Sequence, residues 1–172
     1  MADIVRVAFR QLGGEQDAPP VTPPWFLPGA EAVWQKIAAE TERALRGVVR
    51  EVYAARFGDL AASRIEAAVP ERERPTFARN LARRPPGAEP LSVVDYLYLG
   101  QLPTILFAQD VQQEARTRFS GAQDLKQRLS AAVTQIAPVR NEIAHVREID
   151  RDRLLRASVA CADVLEMLKG KT

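Results

Sequence analysis

The stretch Val139-Arg140-Asn141-Glu142-Ile143-Ala144-His145 holds the single histidine of the chain, five residues after an arginine. Imidazole is the side chain best suited to moving a proton near neutral pH, and guanidinium is the fork that best matches a phosphate. Together they fit phosphodiester cleavage, with Arg140 on the phosphate and His145 on the proton. On a regular helix the two are five steps of about 100° apart, roughly 140° around the axis, and do not share a face. A helix that ends near His145 lets the imidazole swing back beside the guanidinium. Alternatively, two chains packed about a two-fold axis line one cleft with two Arg/His pairs. Asn141 and His145, at i and i+4, do face one another, and Asn141 can orient the ring or hold a phosphate oxygen. A plainer reading uses the same residues: His145 interacts with the last helix carbonyls, and Arg140 pairs with an acid such as Glu142 or Glu148. Downstream, Arg147, Arg151, Arg153 and Arg156 either widen a basic rim for RNA or form a solvated face interleaved with Glu148, Asp150 and Asp152. With no second histidine and no cysteine pair, the usual metal-ligand spacings are missing. Neither a metal nor a cofactor is expected.

Several helices must position this stretch. A chain of 172 residues suits one domain with a real core, and 6% aromatic content with few β-branched runs favours an all-α fold. The net charge of +2 is too mild to imply nucleic-acid binding by itself, so any basic footprint must be local. Cys161, the only cysteine, lies among Val159, Ala160 and Ala162 and reads as a reduced core residue. No apolar run approaches membrane-spanning length and the start lacks signal-peptide order, so the expectation is a soluble, cytoplasmic protein.

Residues 1–29 read as an extended arm. Val5, Val7 and Phe9 alternate, and Pro19, Pro20, Pro23, Pro24 and Pro28 stiffen a connector that carries Trp25 and Phe26, aromatics that either dock a partner or pack on their own domain. Residues 30–172 read as the helical domain. A long helix from Glu31 to Phe57 has Trp34, Ile37, Ala38, Thr41, Leu45, Val48, Val52 and Tyr53 on its core stripe and Gly58 at its end. A helix from Asp59 to Val69 starts on the aspartate and stops at Pro70, and another runs from Glu71 to Arg84. Ser92 caps a short helix halted at Gly100, and a further helix enters through Pro103 and runs to Phe119. After a Ser120-Gly121 turn, a long helix with Leu125, Leu129, Val133 and Ile136 inside delivers the motif, interrupted and kinked by Pro138. Asp150 then caps a final helix that packs through Leu154, Ser158, Cys161, Leu165 and Leu168.

The run Arg140-Asn141-Glu142-Ile143-Ala144-His145, placed at the end of a long helix and before the last one, resembles the mark of the HEPN superfamily of small helical-bundle proteins. Asparagine after the arginine and alanine before the histidine look like the prokaryotic form, and the order of helices agrees over roughly residues 31 to 168. Pro138 is a departure from the pattern, and the arm is not covered. The resemblance implies a HEPN-like bundle of about five to seven helices, a homodimer in which both motifs meet, and a metal-independent endoribonuclease. In that mechanism an RNA 2′-hydroxyl attacks the adjacent phosphate, His145 is general base or acid and Arg140 holds the phosphate. It also implies a toxin or defence effector, restrained by an antitoxin or accessory protein. The alternative is a non-catalytic module of the same fold whose arm docks a partner protein.

Overall fold

The computed structural model describes residues 30–119, 124–145 and 149–169; the arm over 1–29, the Ser120-Gly121 turn, Arg147 and Glu148 lie outside them. Among the described residues the regular elements are all helical, with no strand, as the composition predicts. No described helix is long and apolar enough to cross a membrane.

Helix α1 runs without a break through Ala30–Gln35, a π-helical segment Lys36–Glu42, and Arg43–Phe57. Ile37, Thr41, Leu45, Val48, Val52 and Tyr53 of the expected stripe are buried. Trp34 departs from it and is only half-buried, packed against the edge of the core. The π turn explains the departure. An i→i+5 turn holds one more residue than an i→i+4 turn, so the helical segment before it is rotated by about 100° relative to the segment after it. Twelve regular steps from Trp34 to Arg46 would set them about 120° apart; with one residue absorbed, the separation is about 20°. Trp34 therefore shares the face of Arg43, Arg46 and Arg50. Thr41, fully buried, donates its hydroxyl to the Lys36 carbonyl at 3.0 Å inside the wide turn.

Gly58 ends α1 at φ 52°, ψ −124°, a backbone state that costs glycine little. A 3-10 turn over Gly58–Leu60 then moves the start of α2 (Ala61–Ala68) beyond Asp59, which makes no cap. Helix α3 (Arg74–Leu81) comes after a 3-10 turn at Glu71–Glu73 and stops short of Arg84. The guanidinium of Arg84 instead donates to the Ala88 and Glu89 carbonyls, closing the loop before Pro90. Ser92 does not cap a helix either: it lies within a 3-10 turn, Pro90–Tyr96, with its hydroxyl buried and unpartnered among the described residues. Gly100 sits inside a further short 3-10 turn, Leu99–Gln101, rather than ending an element.

The helix expected from Pro103 to Phe119 is two, α4 (Leu102–Leu106) and α5 (Gln112–Arg118). The break brings the rings of Phe107 and Phe119 to 6.5 Å, whereas a continuous helix would hold the two residues about 18 Å apart. Core burial overrides the local pattern here. Helix α6 (Leu125–Ala144) buries Leu125, Leu129, Val133 and Ile136 as expected, and continues through Pro138 to bury Val139 and Ile143. Pro138 supplies no amide to the Thr134 carbonyl, but the buried residues on either side keep the helix in register. Helix α7 (Arg151–Lys169) packs back along α6, the most extensive helix pair in the fold. Its seam is Leu154, Ala157, Cys161, Val164 and Leu168, spaced alternately three and four residues apart. Ser158 and Leu165, expected on the seam, stand one residue off it and are half-exposed.

Candidate active site at the end of helix α6

Arg140 leaves α6 toward α1. Its Nε lies 3.6 Å from Glu42 Oε2, while Oε1 of the same carboxylate receives Arg46. Glu42 closes the π turn and is 9% exposed, a nearly buried carboxylate in direct contact with Arg46 and more loosely approached by Arg140. Arg46 also donates to the carbonyls of Val94 and Leu97, the latter at 2.9 Å. Arg50 donates to the Leu91 carbonyl at 3.4 Å and pairs with Asp95. These two guanidinium groups supply hydrogen-bond donors to the Pro90–Tyr96 turn and pin it to α1. Arg43 is exposed and has no ion-pair partner among the described residues. Trp34, Glu42, Arg43, Arg46, Arg50, Asp95 and Arg140 together line an open cleft of about 330 Å³.

His145 is the C-cap of α6. Its backbone N–H donates to the Asn141 carbonyl at 3.0 Å and its side chain is exposed, outside the lining of the arginine cleft. Asn141 lines a different groove, with Pro103, Thr104, Thr134 and Pro138. Consecutive residues on a helix diverge by about 100°, which sends Arg140 and Asn141 to separate depressions. One chain thus places the three motif side chains around the end of α6 rather than in one pocket.

The acid that meets Arg140 is Glu42, from another helix, not Glu142. Glu142 instead receives Arg153 at 2.8 Å, an ion pair that ties α6 to α7. Of the basic rim, Arg153 is therefore engaged, Arg151 is exposed at the start of α7, Arg156 donates to the Asp152 carbonyl at 3.4 Å, and Arg147 lies outside the described residues. Among the described residues no cluster of three or more His, Cys, Asp or Glu side chains could hold a metal ion.

Glu42, Arg43, Arg46, Arg50 and Asp95 were not singled out by the sequence pattern. A signal was present: Arg43, Arg46 and Arg50 fall at i, i+3 and i+7, and Glu42 precedes Arg46 by one turn. Such a run normally reads as the solvated face of an amphipathic helix. Only the packing of α6 and the Pro90–Tyr96 turn against that face makes it a cleft. No family model, curated protein or solved structure matches the chain.

Proposed function

We propose that this chain is a metal-independent endoribonuclease of the HEPN type, with Arg140 as the phosphate-binding group and His145 as the proton carrier. The observation that carries the reading is the position of Arg140: it borders a cleft with arginines in excess of acids, on the same helix whose end exposes His145. In the proposed step the RNA 2′-oxygen attacks the adjacent phosphorus as the bond from phosphorus to the 5′-oxygen breaks. One imidazole takes the 2′-hydroxyl proton, and the leaving 5′-oxygen gains a proton from a second imidazole or from water. The products are a 2′,3′-cyclic phosphate and a 5′-hydroxyl, and general acid–base help of this kind is worth about 10² to 10⁴ in rate. Arg140 stabilises the charge building on the non-bridging oxygens. Because Arg140 and His145 lie on different sides of one helix end, the complete site is proposed to form between two copies about a two-fold axis. A role as a cytoplasmic toxin or defence effector, held in check by an antitoxin or accessory protein, belongs to the same proposal.

A second reading has its own observation. An arginine engaged by a buried carboxylate, as Arg140 is by Glu42, can be a packing element of a non-catalytic module that docks a partner through residues 1–29. Cleavage of a defined RNA in EDTA separates the two. Wild type should yield cyclic-phosphate ends, and Arg140→Ala and His145→Ala should each abolish them. Equal cleavage by all three proteins, or none by any, rejects the nuclease and favours the module.

A further inference from the structure

We infer that the cleft between α1, α6 and the Pro90–Tyr96 turn is a subsite for one nucleotide of a single-stranded nucleic acid, with its phosphodiester on Arg43 and Arg140 and its base on Trp34. The inference rests on the reading of Arg140 as a phosphate-binding group and extends it to side chains of α1.

Three observations converge. The first is charge. Arg43, Arg46, Arg50 and Arg140 face only Glu42 and Asp95, an excess of two positive charges in a concave space. The second is how the partners are divided. Arg46 and Arg50 are consumed by Glu42, Asp95 and the carbonyls of Leu91, Val94 and Leu97, so stapling the turn accounts for them. It does not account for Arg43, which has no acid among the described residues, or for Arg140, which sits 3.6 Å from Glu42 without a hydrogen bond to it. These two have donors left to give. The third is Trp34. It is packed against the core on one side and lines the cleft on the other, a fixed aromatic wall beside the cations. The rotation imposed by the π turn is what brings it there. A bare anion would use the guanidinium groups and ignore the indole; a nucleotide uses both, because every base has a face that stacks on an aromatic ring and every linkage carries one negative charge. A volume of about 330 Å³ suits one nucleotide and not a folded duplex.

The test uses the full chain and a dye-labelled oligothymidylate, which lacks the 2′-hydroxyl and is bound without being cut. The two tryptophans are Trp25 and Trp34, so W25F leaves Trp34 as the sole indole reporter. Binding should quench Trp34 fluorescence. By anisotropy, W34A should weaken binding by roughly tenfold or more and W34F much less. R43A, at an exposed position where folding is not at stake, should weaken binding and lower the slope of log affinity against log salt by about 0.7, the share of one phosphate contact on a single strand. Inorganic phosphate should compete only at far higher concentration than the oligonucleotide. Absent quenching, unchanged affinity in W34A and R43A, or phosphate competing as well as the oligonucleotide would each overturn the subsite. The two proposals fail separately. Tight, Trp34-dependent binding without any RNA cleavage sinks the nuclease alone. RNA cleavage that needs Arg140 and His145 but is indifferent to W34A and R43A sinks the subsite alone.

Discussion

The two arginines on Glu42 should respond very differently to removal. The Arg46 and Glu42 side chains are each 11% exposed and in direct contact, so deleting either leaves a charge in a nearly dry place. Breaking such a pair from one side costs about 3–5 kcal/mol. Arg46 keeps the Val94 and Leu97 carbonyls when Glu42 is lost, which places Glu42→Ala at the low end, about 3 kcal/mol. In a chain of this size that lowers Tm by about 6–12 °C. Arg46→Ala should cost at least as much, since it orphans a buried carboxylate. The Arg140 side chain is 34% exposed and its contact at 3.6 Å is loose, so Arg140→Ala belongs with surface pairs, below about 1 kcal/mol. Urea unfolding of the three single variants, with the Glu42→Leu/Arg46→Met double variant as a coupling check, measures all of this. The double variant should lose much less than the sum of Glu42→Ala and Arg46→Ala, because the remaining charge is removed with its partner. If Arg140→Ala destabilised the fold as much as Arg46→Ala, Arg140 would be a structural residue, and loss of activity in that variant would say nothing about phosphate binding.

Two further outcomes concern stability alone. Burial pushes the Cys161 thiol up, an effect that contact with Thr41 and the charge of Lys36 partly offset and that Glu40 reinforces, and burial aided by Asp110 raises the Tyr53 hydroxyl. Both groups hold their protons in the folded state at pH values where the unfolded chain releases them. Their contributions are intact below the unfolded values of about 8.5 and about 10, and fade as pH rises toward the folded ones. The urea midpoint of wild type should therefore begin to fall above about pH 8.5, whereas Cys161→Ala should hold its own midpoint until about pH 10. Gly58→Ala should cost about 1–3 kcal/mol in the same assay, from backbone conformation alone, because a Cβ there meets nothing within 4 Å.

Periodic burial and hard punctuation were legible in the sequence. The α1 stripe through Tyr53, the stop at Gly58, the stop at Pro70 and the inner stripe of α6 come from side-chain spacing and from residues with restricted backbones. The features that were not legible depend on distant partners. Nothing local marks Lys36–Glu42 as a π turn, since its residues are ordinary helix formers. The break at Phe107 exists because Phe119 and the core reward folding back, a contact twelve residues away. On α7, Ser158 and Leu165 looked as good as Ala157 and Val164 because neighbouring heptad frames differ by one residue, and only packing on α6 selects between them. The motif itself was easy to find, but its surroundings were not. Glu42 stands far from Arg140 in sequence, and no local spacing points from one to the other.

The wide turn in α1 has a consequence for how this chain can diverge. Because it stores one residue beyond a regular helix, a deletion within residues 36–42 need not break α1; it can be absorbed by tightening to ordinary helical winding. The part before the turn would keep its angle to everything after it, because the eleven regular steps left between Trp34 and Arg46 set them about 20° apart, as they are now. Tightening the turn with every residue kept would instead rotate that part by about 100°, returning Trp34 to the line of Ile37, Thr41 and Leu45 and taking the aromatic wall away from the arginine face. A single-codon deletion among residues 36–41 can thus erase the wide turn and leave Trp34 beside the arginines of the cleft.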